Sequence, residues 1–193
     1  MYDFNDAGKQ GMYDLIPKGT IVPAIFTIDP GGLGDGGWLT QSKSSSAEMI
    51  KAEFTVIEGP YAKNKWWQYL VVSGGKIDAQ GQSIAGNISR QTLRAILESA
   101  KGIKPDDVSP EATAKRQISN WGDLNGLVFV AKMGIETDTT GQWGDKNKIQ
   151  VVVTPDMKGY ATPPAASGEF LAPPPAAAAA SSQPAGAVPA WAQ

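Results

Sequence analysis

Met49-Ile-Lys-Ala-Glu-Phe-Thr-Val-Ile57 and, after a short turn, Lys65-Trp-Trp-Gln-Tyr-Leu-Val-Val72 are the stretches on which the fold turns. In the first, Ile50, Ala52, Phe54 and Val56 alternate with Lys51, Glu53 and Thr55, the period of two that belongs to a half-buried strand. In the second, Trp66, Leu70 and Val72 fall opposite Lys65, Trp67 and Tyr69. The pleat sends adjacent Trp66 and Trp67 to opposite faces, and the apolar phase puts Trp66 inside. Glu58-Gly59-Pro60 turns the chain between the two runs, which therefore read as an antiparallel hairpin.

Upstream, Ile16-Pro-Lys-Gly19 is a turn and Thr20 to Asp29 a β-branched first strand, with Pro23 marking an edge or a bulge. Residues 30–37, Pro-Gly-Gly-Leu-Gly-Asp-Gly-Gly, and the serines of 42–46 make a long loop before the hairpin. Gly32, Gly34 and Gly37 satisfy the letter of a G-x-G-x-x-G pattern, but no helix follows to receive a pyrophosphate. The loop reads instead as flexible, ordering on binding.

Downstream, Ser89 is a plausible N-cap. Leu93, Ile96, Leu97 and Ala100 form one apolar helical stripe, Gly102 ends it, and Ile103 folds back. A second short helical piece is expected over 110–118. Leu127 to Ile135 alternates as a fourth strand, and Lys148 to Thr154 as a fifth, with Ile149, Val151 and Val153 inward. From Ala161 onward the Pro pairs, Ala run and near-absence of charge give a segment too poor in buriable surface to offset its ordering entropy.

Composition narrows the chemistry. The 193 residues are 41% hydrophobic and 19% charged, and 22 Gly with 14 Pro favour turn-rich β structure in one ordinary domain. Without Cys or His there are no disulfides, thiol nucleophiles, usual zinc sites or imidazole catalysis. Asp35 and the pair Asp106-Asp107 lack partners at metal-motif spacing and read as solvated carboxylates. No enzyme activity, metal or cofactor is expected. No run approaches the ~20 apolar residues of a membrane span, and the start carries no signal-peptide pattern. The net charge of −2 hides an uneven distribution: residues 1–59 carry four Lys against eight acids, and residues 60–101 six Lys or Arg against two. A polyanion responds to the local patch, so the total does not exclude one.

Three strands, a helix and two strands is the order of an OB-like fold, a five-stranded Greek-key barrel with its helix between strands three and four. The expected layout is an N-terminal arm over 1–15, the OB-like domain over 16–160 and a disordered Ala/Pro-rich tail over 161–193. Such a barrel binds oligonucleotides or oligosaccharides on strands two and three and on the flanking loops. The outward side of those strands offers Lys51, Lys65, Trp67 and Tyr69. The first loop adds Trp38 and Lys43, and the last loop adds Trp143, Lys146 and Lys148. Aromatic faces for bases and cations for phosphates are what single-stranded DNA requires. Each residue also has an ordinary reading, since Trp and Tyr seal barrel ends and Lys keeps edges soluble. Arg90 and Arg94 extend the basic track only if the helix abuts it. In the tail, Val188, Pro189 and Trp191 form an apolar tip of the kind that docks into partner pockets.

Asp14-Leu-Ile-Pro-Lys-Gly19, Glu53-Phe-Thr-Val-Ile-Glu-Gly-Pro-Tyr61, Leu93-Arg-Ala-Ile-Leu97, Trp121-Gly-Asp-Leu-Asn-Gly126 and Asp145-Lys-Asn147 span nearly the whole domain. In these the chain resembles a family of phage and prophage proteins of unknown function, found among replication and recombination genes and in places labelled single-stranded DNA-binding. The resemblance supplies no binding residues, so those above rest on the fold argument. In layout, a barrel plus a tail with an apolar tip, the chain also resembles bacterial single-stranded DNA-binding proteins, although their tip is acidic. The resemblances imply sequence-tolerant single-stranded DNA binding in the cytoplasm of a bacterial host cell. Partners would be replication or recombination proteins engaged by the tail, and further copies of the chain. The competing expectation is a protein–protein adaptor or structural phage component that uses the barrel and the Trp191 tip.

Overall fold

A computed structural model of the chain describes residue 5, residues 14–142 and residues 144–164. The strands are β1 (Ile21–Ile28), β2 (Thr40–Gln41), β3 (Glu48–Val56) and β4 (Lys65–Ser73), followed after two helices by β5 (Val128–Glu136) and β6 (Lys146–Val153). The helices are α1 (Ile84–Lys101) and α2 (Pro110–Lys115). All ladders are antiparallel and join into one six-stranded sheet with β4, β3, β1, β5 and β6 side by side. The two-residue β2, which the sequence pattern does not predict, pairs with Glu48 and Met49 on β3. The sheet is open where a closed five-stranded barrel is predicted: among the described residues no ladder joins β4 to β6. Nor is any helix among them long and apolar enough to cross a membrane.

The hairpin forms as its alternation requires. Phe26 on β1, Phe54 on β3 and Trp66 on β4 are direct register partners, and their rings stack at 5.1 and 5.2 Å between centroids, with Phe129 edge-on to Phe54 at 5.6 Å. Each such aromatic pair contributes about 0.5 to 1.5 kcal/mol beyond the area it buries. Ile16, Ile50, Leu124 and Met133 complete a core closed by Leu93, Ile96 and Leu97 of α1.

Three local expectations change. Pro23 lies on a central strand, neither at an edge nor in a bulge. Its carbonyl accepts from Ile57, just past the end of β3, so the missing N–H falls where the ladder has already stopped. In β6, Lys132 pairs with Val151 but Met133 with Ile149, leaving Gln150 as a bulge that flips the alternation. Val151, predicted inward, is therefore 40% exposed, and Val152 is buried in its place. Finally, α1 starts six residues earlier than Ser89 suggests: Ser83 is the N-cap, its hydroxyl accepting from the Gly86 N–H at 3.0 Å, while Ser89 is buried inside the helix. The other end is as expected. Gly102 takes the left-handed conformation at φ 66° and Ile103 folds back, its N–H donating to the Glu98 carbonyl.

Trp143 and the tail residues Val188, Pro189 and Trp191 lie outside the described residues. So does the arm of 1–15 apart from Asn5, Asp14 and Leu15, as does the tail from residue 165 onward.

Candidate functional site

The hairpin register builds one wall of the site. Lys51 faces Tyr69, Glu53 faces Trp67 and Thr55 faces Lys65 across β3 and β4; the first two pairs are open to solvent, whereas Thr55, expected outward, is buried at 5% exposure. Trp67 and Tyr69 remain 56% and 58% exposed. Glu53 holds two neighbours at once: one oxygen accepts from Lys65 Nζ at 2.6 Å and the other from Trp67 Nε1 at 3.0 Å. That second bond fixes the indole by its edge. As residues i and i+2 of a strand, Trp67 and Tyr69 stand about 6.6 Å apart along β4, twice the ~3.4 Å rise of a stacked nucleotide strand.

The facing wall is β6. Because the outer strands do not pair, a cleft of about 550 Å³ opens between Lys65–Tyr69 on β4 and Lys146–Lys148 on β6. One end is strapped. The Asn147 side chain accepts from the Ile16 N–H at 3.0 Å and donates to the Ile16 carbonyl at 2.9 Å, while Asn64 Nδ2 donates to the Asp14 carbonyl at 3.3 Å. Residues 14–16 thus bridge the starts of β4 and β6, and Ile16 plugs the core. At the other end α1 packs against β4, β5 and β6.

Six of the nine residues predicted to contact nucleic acid share this cleft: Lys51, Lys65, Trp67, Tyr69, Lys146 and Lys148. Two described ones lie elsewhere. Lys43 sits exposed in the turn after β2. Trp38 is half-buried against the core, wedged so closely beside Gly36 and Gly122 that a Cβ at either would stand 2.7 or 2.6 Å from its ring. The glycine loop before it pairs with itself, Leu33 and Leu39 exchanging backbone hydrogen bonds at 3.0 Å.

The cleft is not a basic patch. Lys51 is ion-paired with Asp29, whose hydrogen bond and charge raise the ammonium above its ordinary pKa. Lys65 is paired with Glu53, and Lys146 lies 3.7 Å from Glu136. Asp14 and Asp145 line the same walls. Among the described residues Lys148 alone of the four cleft lysines makes no ion pair.

The α1 arginines, Arg90 and Arg94, line a different groove from the cleft. Arg94 and Arg116 converge on one oxygen of buried Glu98, at 2.8 and 2.7 Å, and Arg116 also donates to the Lys104 and Asp107 carbonyls. The network ties α2 and the 102–109 loop to α1. Asp107 caps that loop by accepting from the Ser109 N–H, which lowers its pKa. A second groove, of about 610 Å³, runs between α1 and residues 113–124, with two of its three arginines committed to Glu98.

Sequence reasoning passed over Glu53, Asp29 and Asn147. Glu53 was within reach: an outward acid on the second strand must face an outward residue of the third once the hairpin register is counted. Asp29 and Asn147 depend on contacts between segments distant in sequence, which periodicity does not carry. No protein-family model matches the chain, and no curated protein matches it at a significant level.

Proposed function

We propose that the protein is a sequence-tolerant single-stranded DNA-binding protein of phage-type replication or recombination, and that the sheet is an OB-like barrel left open between β4 and β6. The observation that carries the reading is the pair of exposed aromatics, Trp67 and Tyr69, spaced along the rim of a cleft with Lys148 opposite. Stacking on such a platform is worth about 1 to 3 kcal/mol per base and is indifferent to sequence. The strand order and the helix between the hairpin and the last two strands support the OB-like reading. The phage setting rests on the sequence resemblance. Titration of the full chain against labelled oligo-dT tests it: micromolar or tighter binding at low salt is expected, reduced by about 25-fold or more in the Trp67→Ala/Tyr69→Ala double variant. Absence of binding, or equal binding by the double variant, refutes it.

The pairing of cleft lysines with carboxylates favours a second reading, a protein–protein adaptor. Deleting residues 161–193 separates the two. DNA affinity survives the deletion under the first, whereas the main activity is lost under the second.

A further inference from the structure

Glu53 does more at the cleft than neutralise Lys65. It stands directly opposite Trp67 in the β3–β4 ladder, and its carboxylate oxygens are divided between two donors, Lys65 Nζ at 2.6 Å and Trp67 Nε1 at 3.0 Å. Trp67 is 56% exposed, and an aromatic standing that far out of a sheet is otherwise free to exchange rotamers. The bond that holds it is charge-assisted, the stronger class of hydrogen bond. An indole N–H lies in the plane of its ring, so this bond occupies the edge and neither face. Cross-strand charge pairing, which stabilises a hairpin by itself, requires the contact to Lys65 and not the one to the indole.

We propose that Glu53 is the positioning residue of the stacking platform: it holds the Trp67 indole by its edge, so that the ring is already oriented when a base arrives at its face. Lys65 then anchors the carboxylate and is not a phosphate contact. This rests on the single-stranded DNA reading above and adds to it how the platform is preorganised. An indole free to turn gives up its rotamer freedom on stacking, which weakens binding about two- to tenfold. One already fixed by Glu53 does not.

The experiment is a double-mutant cycle on the full chain, read by anisotropy of a labelled oligo-dT. Glu53→Gln keeps an oxygen that accepts from the indole, whereas Glu53→Leu removes it. Both release Lys65, so the change in charge cancels between them. Glu53→Leu is expected to bind about two- to tenfold more weakly than Glu53→Gln. The gap should close when both are made in Trp67→Phe, which keeps a ring and has no N–H. Without DNA, the indole N–H resonance that Trp67→Phe deletes should stay near its wild-type position in Glu53→Gln and move in Glu53→Leu. Glu53→Val, a good strand former, takes the place of Glu53→Leu should that variant fail to fold. Equal affinities of the two Glu53 variants, or a gap that survives in Trp67→Phe, overturns the positioning role and leaves the DNA reading standing. Failure of wild type to bind oligo-dT overturns both.

Discussion

The proposed DNA binding carries a salt dependence that is calculable from the cleft. Each phosphate neutralised by a cation releases counterions, and for single strands log K falls with log salt at about −0.7 per contact. Four lysines line the walls, but Lys51 and Lys65 already have carboxylate partners and only Lys146 and Lys148 remain weakly held or free. Two contacts give a slope of about −1.4, so raising salt from about 50 to 200 mM weakens binding about sevenfold. Four contacts would give about −2.8 and a loss of about 50-fold. The assay is anisotropy of a labelled oligo-dT across that range, repeated with Lys148→Ala, for which the slope should flatten to about −0.7. A wild-type slope near −2.8, or a slope that Lys148→Ala leaves unchanged, refutes the argument that Asp29 and Glu53 withhold their lysines from the ligand.

Other perturbations reach the scaffold. Glu98→Gln removes the charge on which Arg94 and Arg116 converge; because Arg116 keeps its carbonyl acceptors, the cost is about 2 to 3 kcal/mol, read as a melting point lower by about 5 to 10 °C. Gly122→Ala drives a methyl into the Trp38 ring and should cost about 1 to 3 kcal/mol while leaving oligo-dT affinity unchanged; lost affinity in the folded variant would return Trp38 to the binding surface. The Tyr160 hydroxyl donates to the Ser99 carbonyl at 2.9 Å, and burial raises its pKa above the ordinary value. Above about pH 10 the unfolded chain releases a proton that the folded one keeps, so wild type should lose stability there faster than Tyr160→Phe, which itself starts about 1 kcal/mol lower; parallel melting curves against pH would refute the coupling.

What was legible in the sequence follows from which interactions are periodic. The hairpin was readable because β3 and β4 each have one face in water, and alternation records burial directly. The same rule failed in β6, where the bulge at Gln150 shifts the phase by one residue and no pattern within the strand announces it. The helix start was misplaced because Ser83 and Ser89 are equally good caps in isolation. What selects Ser83 is tertiary: its hydroxyl also donates to the Gly74 carbonyl at 2.6 Å, tying the helix start to the end of β4. Of the site, the aromatics and lysines could be placed by counting along strands. Their neutralisation could not, because Asp29 reaches Lys51 only after β1 has docked on β3.

The open sheet turns a structural liability into the feature on which the functional reading depends. Unpaired strand edges invite further chains, and proteins protect them with charge, short edges or a covering segment. Here the edges carry Lys65 on one side and Lys146 and Lys148 on the other, residues 14–16 cover one end, and α1 lies against the other. Those lysines therefore have an edge-protecting role whether or not a phosphate ever meets them, so their presence alone is poor support for DNA binding. Edge protection does not account for two large aromatics left more than half exposed on the same rim. The exposed aromatics, and not the positive charge, are the observation that favours a ligand with flat faces.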